Sequence, residues 1–364
     1  MTKLGSLQRI QLKGFRSICE LDLSLKPLNV LVGPNGAGKS NFISFFRFMN
    51  RLLEKDLQLH VRAQLGGADR TLHFGRKVTD RLLIDLSFSP NSYHAELVPT
   101  TDDTLVFARE AVGFDGDEIG NRGGSQRNSI GSPGSPETGL PKYGVASPAH
   151  HVARYLSDWK VYHFHDTSDT ARMKGAYSLH ATERLMPQGD NLAAFLYSLA
   201  DTPAYAKIVK AVQRVAPFFH DFVFQPEPND LIRLRWKHRG SEDYFDATML
   251  SDGTLRFICL TTLLLQPRLP TVLLLDEPEL GLHPFAMQLL AAMMRSASEQ
   301  TQIIASTQSV TLANEFGWED LVVVDQVDNA SQFRRLQEHE VANWLDQYRL
   351  GDIWQMNLLG GTPE

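Results

Sequence analysis

The chain has 364 residues, which at about 100–200 residues per domain is one large domain or two modest ones with a real core. A net charge of −6, with 43% hydrophobic and 21% charged residues, excludes a polybasic nucleic-acid coat protein or membrane-surface binder. Cys19 and Cys259 stand far apart, which excludes a zinc finger, a zinc hook or a disulfide framework. The apolar runs at 257–265 and 272–275 are shorter than the ~18 residues of a membrane helix, and no signal segment opens the chain. A cytoplasmic protein without a membrane partner is expected.

In chain order, alternation of Ile10, Leu12 and Phe15, then Leu21, Leu23 and Leu25, predicts an antiparallel N-terminal β subdomain. A buried strand over Leu28–Val32 runs into a glycine-rich turn. Phe42, Phe45, Phe46, Phe48, Met49 and Leu52 then lie at helical spacing, which predicts a helix over 41–53. Between Gly113 and Pro148 the composition shifts to Gly, Ser, Pro, Asn and Asp, and a long mobile loop is expected. Structure resumes over 152–164, helices are predicted over 191–219, and one strand over 231–238. A helix from Ser251, a strand over 271–275, a helix over 285–298 and strands over 302–306 and 320–325 complete a βαβ alternation. That alternation argues for an α/β fold with a mainly parallel sheet.

Gly33-Pro34-Asn35-Gly36-Ala37-Gly38-Lys39-Ser40 matches G-x-x-x-x-G-K-[ST] in full, between a predicted strand and a predicted helix. Such a loop wraps phosphates in backbone N–H groups, sets the Lys39 ammonium at the β/γ oxygens and offers the Ser40 hydroxyl to Mg²⁺. The helix N-terminus behind it favours negative charge. The run Thr271–Leu275 ends in Asp276, Glu277 and Pro278. Asp276 can hold Mg²⁺ through water and Glu277 can polarise an attacking water, which is the positioning that phosphoryl transfer needs. ATP and Mg²⁺ are the implied cofactors.

The order of Gly33–Ser40, Leu250-Ser251-Asp252-Gly253-Thr254, Asp276-Glu277-Pro278 and Ser306-Thr307-Gln308-Ser309 resembles that of ABC-type ATPase heads of the P-loop NTPases. Ile10-x-Leu12-x-Gly14-Phe15-Arg16-Ser17, the wording Pro34–Asn41, and Glu277-Pro278-Glu279-x-x-Leu282-His283-Pro284 are similar to RecF-type, chromosome-maintenance and OLD/AbiEii-associated ATPases. The resemblance implies a head-to-tail homodimer sandwiching two ATP molecules. Glu277 and Gln308 would be catalytic, Gly33–Asn41 would bind nucleotide, and Ser251, Asp252 and Gly253 would complete the partner's site. Ser40, Asp276 and Gln64 would hold Mg²⁺, with Gln58 the other candidate for the family's glutamine loop. Arg16 is a candidate phosphate contact. The signature departs from Leu-Ser-Gly-Gly-Gln at Asp252, and Gln308 stands where many relatives carry a switch histidine. Glutamine hydrogen-bonds but cannot titrate, so slow turnover is expected.

The expected layout is a split head, 1–100 and 250–330, with an inserted α/β lobe over 101–249 and a helical tail over 331–364. The interval from Asn41 to Met249 holds no long coiled-coil arm, and the stretch after Gln308 is too short for a Toprim nuclease. The implied function is an ATP-controlled dimer gating an effector encoded elsewhere, in phage defence or DNA maintenance. A scaffold or sensor with marginal hydrolysis is the alternative, and a transporter subunit fits less well. Three further features carry expectations. His163, His165 and Asp166 suit a metal or, without a third ligand, interdomain hydrogen bonds. Arg233, Arg235 and Lys237 face one way and suit DNA phosphates or a solvated edge. Val341, Trp344, Leu345 and Tyr348 have helical spacing and are expected to dock on the head.

Overall fold

The computed structural model describes residues 5–114, 128–345 and 347–360. Two six-stranded sheets organise it. One joins β1 (Leu7–Phe15), β2 (Ile18–Ser24), β4 (Leu82–Phe88), β5 (Asn91–Pro99), β6 (Leu105–Phe114) and β7 (Asn128–Ser129) in the antiparallel order β2-β1-β4-β5-β6-β7. The other joins β3 (Leu28–Val32), β8 (Trp159–Tyr162), β14 (Val272–Asp276), β15 (Gln302–Thr307), β16 (Leu321–Val327) and β17 (Ala330–Arg335) in the order β17-β16-β3-β15-β14-β8. All of its pairings are parallel except β16–β17.

The residues explain the difference between the sheets. β3 and β15 are buried at every position, as a parallel strand covered on both faces must be. β4 alternates buried and half-buried residues, as a sheet with one covered face does. The helix Lys39–Leu53 lies between the sheets, and Phe42, Phe45, Phe46 and Phe48 are fully buried there. Phe45 meets Phe15 of β1 edge-on at 5.8 Å, and Phe46 meets Trp159 of β8 at 4.9 Å. On the far face of the parallel sheet pack the helices Leu192–Leu199, Pro203–Val215, Asp252–Leu265 and Pro284–Ser298. The parallel strands all end on one edge, the position where α/β sheets bind ligands.

Several sequence expectations change. β6 and β8, both from the 101–249 stretch, are strands of the two main sheets. Of the loop over 113–148, residues 115–127 lie outside the described residues. Part of the remainder packs: Ile130, Thr138 and Leu140 are buried and the Gly139 N–H donates to the buried Glu110 carboxylate at 2.8 Å, while 141–146 are exposed. Composition misses this because one charged side chain supplies the anchor. The single strand over 231–238 divides into β11 (Leu231–Ile232), paired with β9 (Tyr177–Ser178), and β12 (Arg235–His238), between β10 (Phe219–Val223) and β13 (Tyr244–Asp246). Residues 331–335 are strand, in β17, and the helices Glu338–Leu345 and Leu350–Gln355 follow. Val341, Ile353 and Trp354 join the core, whereas Trp344 and Tyr348 are exposed. The Leu345 side chain and residues 361–364 lie outside the described residues.

Candidate functional site

β3 delivers the chain into the Gly33–Ser40 loop, and the loop closes into the helix that starts at Lys39. Gly38 adopts φ 111°, and a Cβ there would lie 1.9 Å from Ser331 Oγ. Only glycine fits that turn. Gly36 also has positive φ, but its missing Cβ would meet no atom within 4 Å, so its backbone is open to a bound group. The Lys39 ammonium donates to the carbonyls of Gly33 and Pro34 at 2.6 and 2.9 Å. Burial lowers its pKa, while Glu277, Glu279 and Asp276 pull it back up, which places the ammonium within electrostatic reach of all three carboxyls. Asn41 is half-buried, donating to Ser17 Oγ at 2.6 Å and accepting from Arg16 at 3.3 Å.

The carboxylates stand at the ends of β14 and β15. Ser306 Oγ donates to Asp276 Oδ1 at 2.6 Å. Glu277 adopts φ 45°, and its N–H donates to the Ser306 carbonyl at 3.1 Å. A left-handed glutamate is a strained conformation, of the kind that clusters at functional sites. The Gln308 side-chain amide donates to Glu277 Oε1. Glu279, part of the quoted motif but given no role there, is buried. It accepts from Thr307 Oγ1 and from the Gln308 N–H, and its Oε2 has no partner. Burial pushes its pKa up. Glu279 therefore fixes the Thr307–Gln308 turn that aims Gln308 at Glu277.

His163 and His165 follow β8, the neighbour of β14. Their ring centroids lie 3.9 Å apart with the planes tilted by 37°, and His165 Nε2 lies 2.9 Å from the Asp276 carbonyl oxygen. Burial, then the neighbouring His165, lowers the His163 pKa. Among the described residues no group of three or more His, Cys, Asp or Glu side chains can hold a metal ion. Arg256, also missed in the sequence, donates from the helix Asp252–Leu265 to the carbonyls of Phe164, His165 and Leu280 at 3.2, 2.9 and 2.8 Å. It ties the signature helix to the turns carrying His165 and Glu277.

Ser251 caps that helix, accepting from the Thr254 N–H at 3.3 Å, and Ser251 and Asp252 are exposed. Gly253 packs closely: a Cβ would lie 2.3 Å from the Gly281 carbonyl oxygen. Among the described residues no hydrogen bond joins Ser251–Thr254 to the phosphate loop. Gln64 is exposed, and its Oε1 lies 2.8 Å from His60 Nδ1 in a π-helical turn; the structure does not bring it to Ser40 and Asp276. Gln58 donates to the carbonyls of Leu105 and Pro136, both at 2.7 Å. Arg233 and Arg235 share Glu227 at 3.2 and 2.8 Å, and Arg235 also meets Asp246 at 3.3 Å, so two of the three basic side chains on this face have carboxylate partners. Beside the phosphate loop opens a cleft of about 840 Å³ lined by Arg16, Asn41, Arg70, Phe74, Arg76 and Lys77. Arg16 has φ 51° and a buried Nε without a partner, and Phe74 is 60% exposed. No periodic signal marks Phe74 in the sequence.

The family model described as "AAA domain, putative AbiEii toxin, Type IV TA system" matches residues 28–314. The chain belongs to this family. Its fold is that of an ABC-type ATPase head: it is similar to a solved SMC head bound to the C-winged helix domain of ScpA, with TM-score 0.60, 13% identity, and 93% and 99% of the two chains covered. A second SMC head, with an extended coiled coil and bound to the C-terminal domain of ScpA derived from Pyrococcus furiosus, gives TM-score 0.55 and 13% identity over 94% and 99%. The OLD nuclease of Thermus scotoductus (strain ATCC 700910 / SA-01) is 51% identical over 37 residues, 10% of this chain and 7% of that protein. The AbiEii-type chain is thus an ATPase-type head. Among the described residues no helix is long and apolar enough to cross a membrane.

Proposed function

We propose that the protein binds ATP in the Gly33–Asn41 loop and hydrolyses it at Glu277. The observation that carries this reading is the convergence, on one sheet edge, of a full phosphate loop and a strained glutamate held by Gln308. The loop amides and Lys39 hold the phosphates, the exposed Phe74 ring offers the base a stacking face in the adjoining cleft, and Arg16 closes the space between. Ser40 and Asp276 offer the hydroxyl and carboxylate oxygens that suit Mg²⁺. The ion would neutralise charge on the β- and γ-phosphate oxygens. Glu277 accepts a proton from the attacking water, and Gln308 keeps its carboxylate in place. Gln308 adds no positive charge, which accords with slow turnover.

Ser251, Asp252 and Gly253 open an exposed helix end without a hydrogen bond to their own phosphate loop. This supports the head-to-tail homodimer, in which each signature completes the partner's site. The family description and the OLD nuclease match support a role in phage defence or DNA maintenance through a separately encoded effector. The pairing of Arg233 and Arg235 with Glu227 argues against that strand as a DNA contact. Glu277→Gln tests the reading: ATP affinity is kept, hydrolysis falls by about 10²–10⁴-fold, and ATP-bound dimers accumulate in sedimentation. Unchanged hydrolysis removes Glu277 from the chemistry.

A further inference from the structure

Strand register sets a row of polar groups along the β8, β14 and β15 ends. Tyr162 is opposite Leu275, so the next residues, His163 and Asp276, are level, and Asp276 is opposite Ser306. Val161, Leu274 and Ile304 pack on the side of the helix Lys39–Leu53, whereas Tyr162, Leu275 and Ala305 pack on the other side. Side chains alternate along a strand, and neighbouring strands lie about 4.8 Å apart. His163, Asp276 and Ser306 are therefore side-by-side neighbours on the phosphate-loop side of the sheet.

Two members of this neighbourhood are committed. Ser306 donates to Asp276, and His165 Nε2 is engaged by the Asp276 main chain at 2.9 Å. His163 differs: its Nδ1 is buried and has no partner. A buried polar atom left orphaned asks for an explanation, and an imidazole beside a carboxylate at a phosphate loop has a direct one.

We propose that His163 gives a nitrogen ligand to the divalent ion that accompanies the nucleotide, so that the site has a mixed nitrogen and oxygen donor set. This rests on the nucleotide reading above. The side chains alone do not assemble a metal site, so the ion's remaining ligands come from phosphate oxygens, Ser40, Asp276 and water, and ion binding requires nucleotide. An imidazole donor also shifts preference from Mg²⁺ toward Mn²⁺ and the later first-row ions.

The test is pulsed electron paramagnetic resonance of Mn²⁺·ATPγS bound to the full chain, with natural-abundance and ¹⁵N-histidine protein. The expected result is a histidine-nitrogen coupling that changes with the label, vanishes in His163→Gln, and is accompanied there by about tenfold weaker Mn²⁺ binding. Bound Mn²⁺·ATPγS without histidine coupling in the wild type, or the same coupling in His163→Gln, overturns the assignment. If that variant does not fold, His165→Gln decides: a histidine coupling kept there assigns it to His163, and its loss overturns the assignment. A wild type that does not bind ATPγS at all fails differently: it removes the nucleotide reading, and this inference with it.

Discussion

Glu110 and Glu277 each organise a polar cluster beside the core, and the two clusters are built in opposite ways. Glu110 is 1% exposed and saturated: it accepts from Tyr93 at 2.8 Å, from Thr138, and from the Gly139 N–H at 2.8 Å. Glu277 is half-buried, in a left-handed conformation, with Gln308 on one oxygen. Around it lie a buried Glu279 oxygen and a buried His163 nitrogen that have no partners. A carboxylate that holds a fold together is fully hydrogen-bonded, because a partly satisfied buried network costs more than an apolar one. The carboxylate proposed for chemistry keeps hydrogen-bonding capacity in reserve, and the surrounding sheet maintains its left-handed conformation.

Substitutions at three positions test this contrast. The largest effect belongs to Glu110→Ala, which leaves the Tyr93 and Thr138 hydroxyls and the Gly139 N–H without their acceptor. Stability in urea falls by about 3 kcal/mol, while ATP binding per folded molecule is unchanged. A loss of ATP affinity in the folded fraction would show that the two clusters are coupled.

A smaller effect isolates the strain at Glu277. Glu277→Gly and Glu277→Ala both remove the carboxylate, but only glycine is at ease at φ 45°. The glycine variant is expected to be about 1 kcal/mol more stable than the alanine variant. Equal stabilities, or a more stable alanine variant, would mean that the left-handed turn carries no strain.

The smallest effect is a pH dependence. Burial raises the Glu279 pKa above its ordinary 4.5. Ionising it in the folded protein therefore costs stability at pH values above the raised folded value, and the cost disappears as pH falls to the unfolded value. Relative to Glu279→Gln, the wild type gains stability as pH is lowered through that window, measured by thermal unfolding in a buffer series. A stability gap that does not change with pH would place the Glu279 carboxyl in water.

What the sequence disclosed follows from how local each signal is. The phosphate loop, Asp276–Glu277 and Gln308 are legible because each is a short motif at the end of a strand, and buried parallel strands declare themselves as apolar runs. Glu279, Arg256 and Phe74 act across the tertiary structure, with Arg256 bonding to carbonyls about ninety residues earlier, and no spacing rule announces such contacts. The choice of Gln64 as a metal ligand rests on residue type and approximate interval, whereas the strand that borders β14 is β8, with His163 and His165 just beyond its end. The Gly- and Ser-rich stretch over 113–148 reads as mobile by composition, yet Glu110 of β6 anchors its described part at Thr138 and Gly139.

The central claim is that this sheet edge binds ATP through Lys39, and equilibrium titration of wild type and Lys39→Ala with a fluorescent ATP analogue tests it most directly. Saturable, Mg²⁺-dependent binding to the wild type is expected, with a loss of at least about 100-fold in affinity in the variant, the size expected when a buried ammonium is removed from a phosphate site. Undiminished affinity in folded Lys39→Ala protein, or no saturable binding to the wild type, would contradict it.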